Sequence, residues 1–310
     1  MAAKDIALAG LLLWFICSVG KCTTSASIIN KLFADYDKTL RPGDGDGPTL
    51  ITADLYVSSF GNIQETNMEY KVFGFFRQYW REDRLAGKHN KTVILTGKEI
   101  DNMWKPDPFC NNARESNLRE TDESISSMVF LEPDGSVLYS RLIIVTAECN
   151  MNLRFFPMDE QKCYLKLSSY SYTTENIIYK WKTGKPAVEV GTKDLAQFDL
   201  KTVQISNMTD TFVTGDFEAI IVTFTFKRRL GYFIIQVFAP DIFVVMLSWI
   251  VFWMDREDMG NRMALGITII LTIMFLLGAI NSSMPRVSYP KALDWYLMVS
   301  FTFVFFSLFS

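Results

Sequence analysis

The sequence predicts an all-β sandwich with a short N-terminal helix, followed by an α-helical membrane domain that is cut short inside its third helix. Three observations carry this. Segments rich in β-formers recur about every 10 to 15 residues up to Arg228, with turn residues between them. From Leu230 onward the chain becomes three nearly uninterrupted apolar stretches. Near the start, Ile6 to Val19 is an apolar run behind a short charged head, too short to cross a bilayer.

That first run reads as a secretory signal peptide over residues 1–22, with the small residues Ser18, Gly20, Ser25 and Ala26 around its end. Lys4 is offset by Asp5, so an uncleaved anchor is the alternative. A secreted start places the next domain, residues 28–229, in an oxidising extracellular compartment. Asn90-Lys-Thr and Asn207-Met-Thr are then glycosylation acceptors.

Composition narrows the function classes. A formal net charge of −3 leaves no basic footprint, so nucleic acid is not an expected partner. His89 is the single histidine, and no nucleophile, phosphate-binding or metal-ligating pattern occurs. Enzyme chemistry, a cofactor and a metal are therefore not expected.

Within the β-domain, Ile28 to Leu40 carries Ile28, Ile29, Leu32, Phe33 and Tyr36 at helical spacing, which predicts the short helix. Arg41 to Pro48 is dominated by glycine and proline and reads as a flexible linker. Met68 to Trp80, Ser136 to Val145 (behind the turn Pro133-Asp134-Gly135), Asn176 to Trp181 and Ala219 to Phe226 read as strands. The membrane domain, residues 230–310, divides into spans at about 230–254, 263–284 and 292–310. With no water to satisfy the backbone in lipid, these are helices. Asp241 in the first span is costly in lipid and is expected to face protein or water.

Cysteine usage is uneven. Cys17 and Cys22 fall in or beside the signal, Cys110 stands apart, and Cys149 and Cys163 lie close in sequence. A bridge between the last two would close a loop with an apolar tip, Phe155-Phe156-Pro157-Met158-Asp159, which suits contact with a membrane domain beneath it. The plain alternative, an immunoglobulin-like surface disulfide, wants a much longer spacing and a tryptophan between.

At this point the chain resembles the Cys-loop receptor family of pentameric ligand-gated ion channels, closest to its GABA-, glycine- and glutamate-gated anion branch. The family signature is a 13-residue gap between two cysteines with Phe-Pro-x-Asp inside it, as in Cys149 to Cys163 here. Further ordered matches are Trp104-Lys-Pro-Asp107, Pro133-Asp-Gly135, Ser169-Tyr-Ser-Tyr-Thr-Thr174, Lys227-Arg-Arg-Leu-Gly-Tyr232 and Ala264-Leu-Gly-Ile-Thr268. The resemblance implies the Cys149–Cys163 disulfide and a ligand site between subunits. Its principal face would be Phe109, Ser169, Tyr170, Phe212, Thr214 and Phe217; its complementary face would be Phe75, Arg77 and Ser140. Ring faces attract an ammonium group, and a guanidinium suits a ligand carboxylate. The bland alternative is that the rings are strand core and Arg77 is a solvated charge. Two departures leave the ligand open: Ser168 stands where a glutamate is usual, and residues 205–225 hold no cysteine for a second disulfide. An amino-acid-type transmitter is expected, in a homo- or heteropentamer.

The second span carries Ala264, Thr268, Leu271, Phe275, Gly278 and Ser282 on one helical face. In the family this face lines the pore, and a ring of Leu271 would gate by expelling water. Gly260, Asn261 and Arg262, read as lying just before the helix, form the selectivity region and match neither branch; Arg256-Glu257-Asp258 sits nearby. The expectation is chloride, with a cation-selective channel as the alternative. Phe156, Pro157, Asp159, Arg228, Pro285 and Arg286 correspond to the family's gating interface. The expected location is the plasma membrane, multi-pass, with a postsynaptic site as one option. Because a fourth span is missing, a rival from another class is a non-conducting, membrane-tethered subunit that binds ligand or regulates assembly.

Overall fold

The computed structural model describes residues 29, 31–119, 127–193, 195–254, 257, 259–282 and 284–307. The signal peptide, Cys17, Cys22, Ile28, Arg256, Asp258 and residues 308–310 lie outside them.

Alternation builds the sandwich. The strands are β1 (Thr49–Gln64), β2 (Glu69–Arg81), β3 (Val93–Thr96), β4 (Pro108–Cys110), β5 (Ala113–Ser116) and β6 (Ser127–Leu131). They continue with β7 (Ser136–Glu148), β8 (Glu160–Ser169), β9 (Ile177–Trp181), β10 (Val188–Val190), β11 (Phe198–Phe212) and β12 (Gly215–Arg228). One sheet runs β10-β1-β2-β7-β6-β3, with β9 also along β1 and β5 along β7; the other runs β11-β12-β8-β4. In β2, Tyr70, Val72, Phe76 and Trp80 point inward while Phe75, Arg77 and Tyr79 point outward. Gly74 sits among the inward positions because a Cβ there would meet the Tyr56 carbonyl oxygen at 2.4 Å. Between the sheets, Phe60 from β1 packs edge-on against Phe224 and Phe226 from β12, with centroids 5.0 and 5.1 Å away. The Cys149–Cys163 disulfide forms, joining the end of β7 to β8 across a Cα–Cα distance of 5.0 Å. Cys110 is the free cysteine among the described residues and is buried.

Two expectations near the start need correction. The helix ends by Leu32, far short of Leu40, and turns follow. Tyr36 leaves the helical path because its hydroxyl donates to buried Glu82 at 2.8 Å, and Asp37 is spent accepting from Thr39. The Arg41–Pro48 segment is not a free linker. The Arg41 guanidinium is buried and donates to the Gly47 carbonyl at 2.6 Å and to the Thr49 hydroxyl at 3.2 Å, so the glycine turns wrap around it. The predicted strands form; β7 runs on to Glu148, and β12 runs longer at both ends because it pairs with β11 from Gly215 through Arg228.

Below lie α1 (Gly231–Trp253), α2 (Met259–Ser282) and α3 (Ala292–Ser307). The first two are long and apolar enough to cross a membrane, and the third is a shorter apolar helix among the described residues. In α1 a wide π-type turn at Ile234–Phe238 precedes Pro240. Proline lacks an amide and crowds the preceding turn, so the widening falls where that crowding acts. α2 starts earlier than predicted: Gly260, Asn261 and Arg262 are in its opening turn and not before it, since no proline interrupts the run and glycine is tolerated in a first turn.

Candidate functional site

The principal-face rings occupy the outer surface of the smaller sheet. Register places Phe109 opposite Ser168, and Ser168 opposite Ala219 on β12. Phe109 and Tyr170 meet edge-on at 5.5 Å, and Phe212 and Phe217 meet edge-on at 5.8 Å across the β11–β12 hairpin. Thr214 lies in the two-residue turn with Val213, and Gly215, which opens β12, takes a φ of 129° against Thr173. Tyr170 and Phe212 are each more than half exposed, so these rings are not strand core.

Ser169 plays a different part. Its hydroxyl is buried and donates to Asp107 at 2.6 Å, and the Tyr172 amide donates to it at 3.0 Å. It shapes the loop that presents Tyr170 and is not itself on the surface. Ser168 is buried too, donating to the Asn111 side chain at 2.8 Å. Two residues along β8, Lys166 pairs with Asp210 of the hairpin at 2.6 Å.

The complementary-face residues cluster on the outer surface of the larger sheet. Arg77 is register partner of Ser140 on one side and Asp54 on the other, and Phe75 is partner of Tyr56. The Arg77 guanidinium contacts Asp54 at 3.4 Å and lies 5.9 Å from the Tyr56 ring centroid. Tyr79 donates to Asp54 at 2.8 Å, and Lys182 lies 3.7 Å from the Tyr79 ring centroid. Burial, then the bond to Asp54, pushes the Tyr79 phenol up to about 12, so it remains a donor at neutral pH. Asp54, Tyr56, Tyr79 and Lys182 escaped sequence reading; period-2 alternation around Arg77 was the signal available for Tyr79.

At the junction of the two domains, buried Arg228 is the hub. Its guanidinium donates to Asp159 at 2.7 Å and 3.2 Å, and to Glu65. Burial alone would lower its pKa, but the bonds to Asp159 and Glu65 outweigh it and hold the group above its ordinary value. The faces of Phe156 and Phe198 flank it at 4.8 and 4.5 Å. Phe156 also meets Phe233 of α1 edge-on at 4.9 Å. The apolar tip is thus split: Phe156 and Pro157 are buried, while Phe155 and Met158 stay largely exposed in the single chain.

Hydrogen bonds join the disulfide loop to the start of α3, Pro285 is half-buried and Arg286 is exposed. The Ala292 amide donates to the Arg154 carbonyl at 2.8 Å, the Leu293 amide to the Phe156 carbonyl at 3.2 Å, and the Leu153 amide to the Tyr289 hydroxyl at 3.0 Å. Glu65 had no local sequence signal, since its partner Arg228 is remote in the chain.

On α2, Ala264, Thr268, Leu271, Phe275, Gly278 and Ser282 all lie on the exposed side. Ile269 and Ile273 turn inward against Val244, Val245, Phe301 and Val304 of the neighbouring helices. Leu271 and Phe275 are 63% and 79% exposed, an apolar stripe the single chain leaves uncovered. Asn90 and Asn207 are exposed, as acceptors must be.

Residues 25–230 match the neurotransmitter-gated ion-channel ligand binding domain, and residues 237–310 match the neurotransmitter-gated ion-channel transmembrane region. Among curated proteins, the chain is 36% identical to a gamma-aminobutyric acid receptor subunit beta of Caenorhabditis elegans, over 92% of this chain and 52% of that one. It is 38% identical to the subunit rho-2 of Bos taurus over 88% of this chain and 60% of that one. With the human alpha-2 subunit it shares 36% identity over 92% of this chain and 64% of that one. The chain therefore spans between half and two thirds of the length of these relatives.

Proposed function

The chain belongs to the neurotransmitter-gated ion-channel family, and from that premise we propose that it is a subunit of a pentameric anion channel opened by a small amino-acid-type transmitter. Its partners in the ring are identical or homologous subunits, and the ligand sits between neighbours. One observation carries this reading. The aromatic group around Tyr170 and the polar group around Arg77 occupy the outer surfaces of opposite sheets of one sandwich. Outer surfaces of a sandwich face away from each other, so a single copy cannot close both around one small molecule. Two adjacent copies can, one giving the rings and the next the guanidinium.

The rings then hold the cationic end of the ligand, at about 0.5 to 2 kcal/mol for each well-placed face. Arg77, aided by Ser140, takes the carboxylate through charge-assisted hydrogen bonds. Closure of the β11–β12 hairpin over the ligand moves the sandwich, and Arg228, Asp159 and the disulfide loop pass that movement to the helices. The exposed stripe of α2 lines the pore, with Leu271 as the apolar gate and Arg262 favouring anions near its inner end. The similarity to gamma-aminobutyric acid receptor subunits supports an amino-acid ligand and an anion pathway.

Expression of the full-length subunit in oocytes tests this, alone and with related subunits, against a panel of amino-acid transmitters. A ligand-evoked current whose reversal potential follows the chloride gradient is expected. A current that follows sodium overturns the anion assignment, and silence in every combination overturns the channel.

A further inference from the structure

The membrane domain holds one feature the channel reading leaves unused. Asp241 is fully buried in α1, one residue past Pro240, in a stretch with no other charged residue. Its Oδ2 accepts the Ser300 hydroxyl of α3 at 2.7 Å. Tyr296, one helical turn before Ser300, sets its ring 5.0 Å from Phe238 of α1 beside this bond. The Asp241 Oδ1 has no hydrogen-bond partner among the described residues. An acidic side chain inside lipid-spanning helices is expensive, so its retention needs a return.

Its position suggests that return. The disulfide loop holds the top of the bundle at two places: Phe156 against Phe233 of α1, and the carbonyls of Arg154 and Phe156 on the first amides of α3. Ser300 lies about 12 Å further down α3 at 1.5 Å per residue. The Asp241–Ser300 bond therefore closes a frame whose top is the loop and whose sides are α1 and α3. At mid-depth α2 meets this frame through apolar side chains, Ile269 and Ile273 against Val244, Val245, Phe301 and Val304, while a directed bond, Lys291 donating to Asn281 of α2 at 3.3 Å, lies at the top just before α3. Apolar contacts allow sliding; a directed bond to a buried carboxyl group resists it.

We propose that Asp241 and Ser300 form an interhelical clasp that makes α1 and α3 move as one unit, so that a displacement of the disulfide loop is expressed as motion of that pair against α2. Both are positioning residues; neither touches ligand or permeant ion. The gating part rests on the channel reading above, whereas the clasp itself does not.

The test is a double-mutant cycle on the full-length subunit with Asp241→Ala, Ser300→Ala and the pair, read in two ways. The first readout is the thermal unfolding midpoint of the detergent-purified protein. The double variant is expected to lose no more than the worse single variant, and additive losses overturn the clasp. The second is the half-maximal agonist concentration. Each single variant should shift it about threefold, the size of an interhelical hydrogen bond in lipid, with non-additivity in the pair. Coupling in unfolding with additive agonist shifts overturns the gating role. Rescue separates positioning from bulk packing: Ser300→Thr keeps the hydroxyl and Asp241→Asn keeps an acceptor, so both should behave as the parent, and loss in both overturns the proposal. If Asp241→Ala does not accumulate, the contrast of Ser300→Ala with Ser300→Thr decides the same point. If the parent subunit passes no current, the channel reading fails while the unfolding cycle still judges the clasp.

Discussion

The backbone amide of Leu293 donates to the carbonyl of Phe156, so the disulfide loop of the sandwich caps the first turn of α3 in the membrane domain. The opening amides of a helix have no partner within it. Here Arg154 and Phe156 supply carbonyls for Ala292 and Leu293, and the loop is itself held by Asp159 on Arg228. The two domains are thereby joined by directed bonds as well as by the covalent link from β12 to α1.

Breaking the hub should be severe. Arg228→Ala strands Asp159 and Glu65 without their cation, and loss of one partner of a buried ion pair costs about 3 to 5 kcal/mol. Surface biotinylation of the expressed subunit should show assembly largely lost. Arg228→Lys keeps the charge but not the fork that serves both carboxylates. It should reach the surface at a reduced level.

Arg77→Ala is expected to raise the half-maximal concentration of a carboxylate-bearing agonist at least tenfold, since a hydrogen bond to a charged group contributes about 1.5 to 3 kcal/mol. The folded state should tolerate the change because Arg77 is partly exposed and Tyr79 still serves Asp54. Concentration–response curves alongside a surface-expression control check both statements.

Leu271→Ser should ease opening. In the proposed pentamer, five hydroxyls in place of five isobutyl groups would wet the constriction, so the closed state would lose its dewetting advantage. A leftward agonist shift of roughly tenfold, or about 1.4 kcal/mol, is expected. An unchanged curve in an assembled channel would count against Leu271 as the gate.

Burial pushes the Cys110 thiol up to about 11, partly offset by backbone amides nearby. The thiolate is the reactive form, so raising the pKa suppresses alkylation until the pH approaches that value. Maleimide should leave Cys110 unlabelled in the folded protein at pH 7 to 8 and label it after denaturation. Rapid labelling of the native protein at pH 7 would contradict its buried position.

Legibility followed the range of the interaction. β2 and β7 were readable because alternation is local. The N-terminal helix was overextended because Phe33 and Tyr36 keep helical spacing, while the bond from Tyr36 to Glu82 draws the chain away across a separation of 46 residues. Arg41 looked like part of a loose linker because its shortest bond is to the Gly47 carbonyl, and backbone acceptors leave no side-chain pattern. Ser169 matched a motif beside Tyr170, yet only its bond to Asp107 tells that it faces inward.

The sequence alone determined the two halves, the disulfide spacing and the helical face carrying Leu271, because hydrophobic periodicity and cysteine spacing are written along the chain. Tertiary structure decided the rest. It placed the rings and Arg77 on opposite faces of the sandwich, gathered Glu65 and Asp159 around Arg228, and brought Asp241 to Ser300. Those outcomes depend on strand register and helix packing, which join residues far apart in the chain.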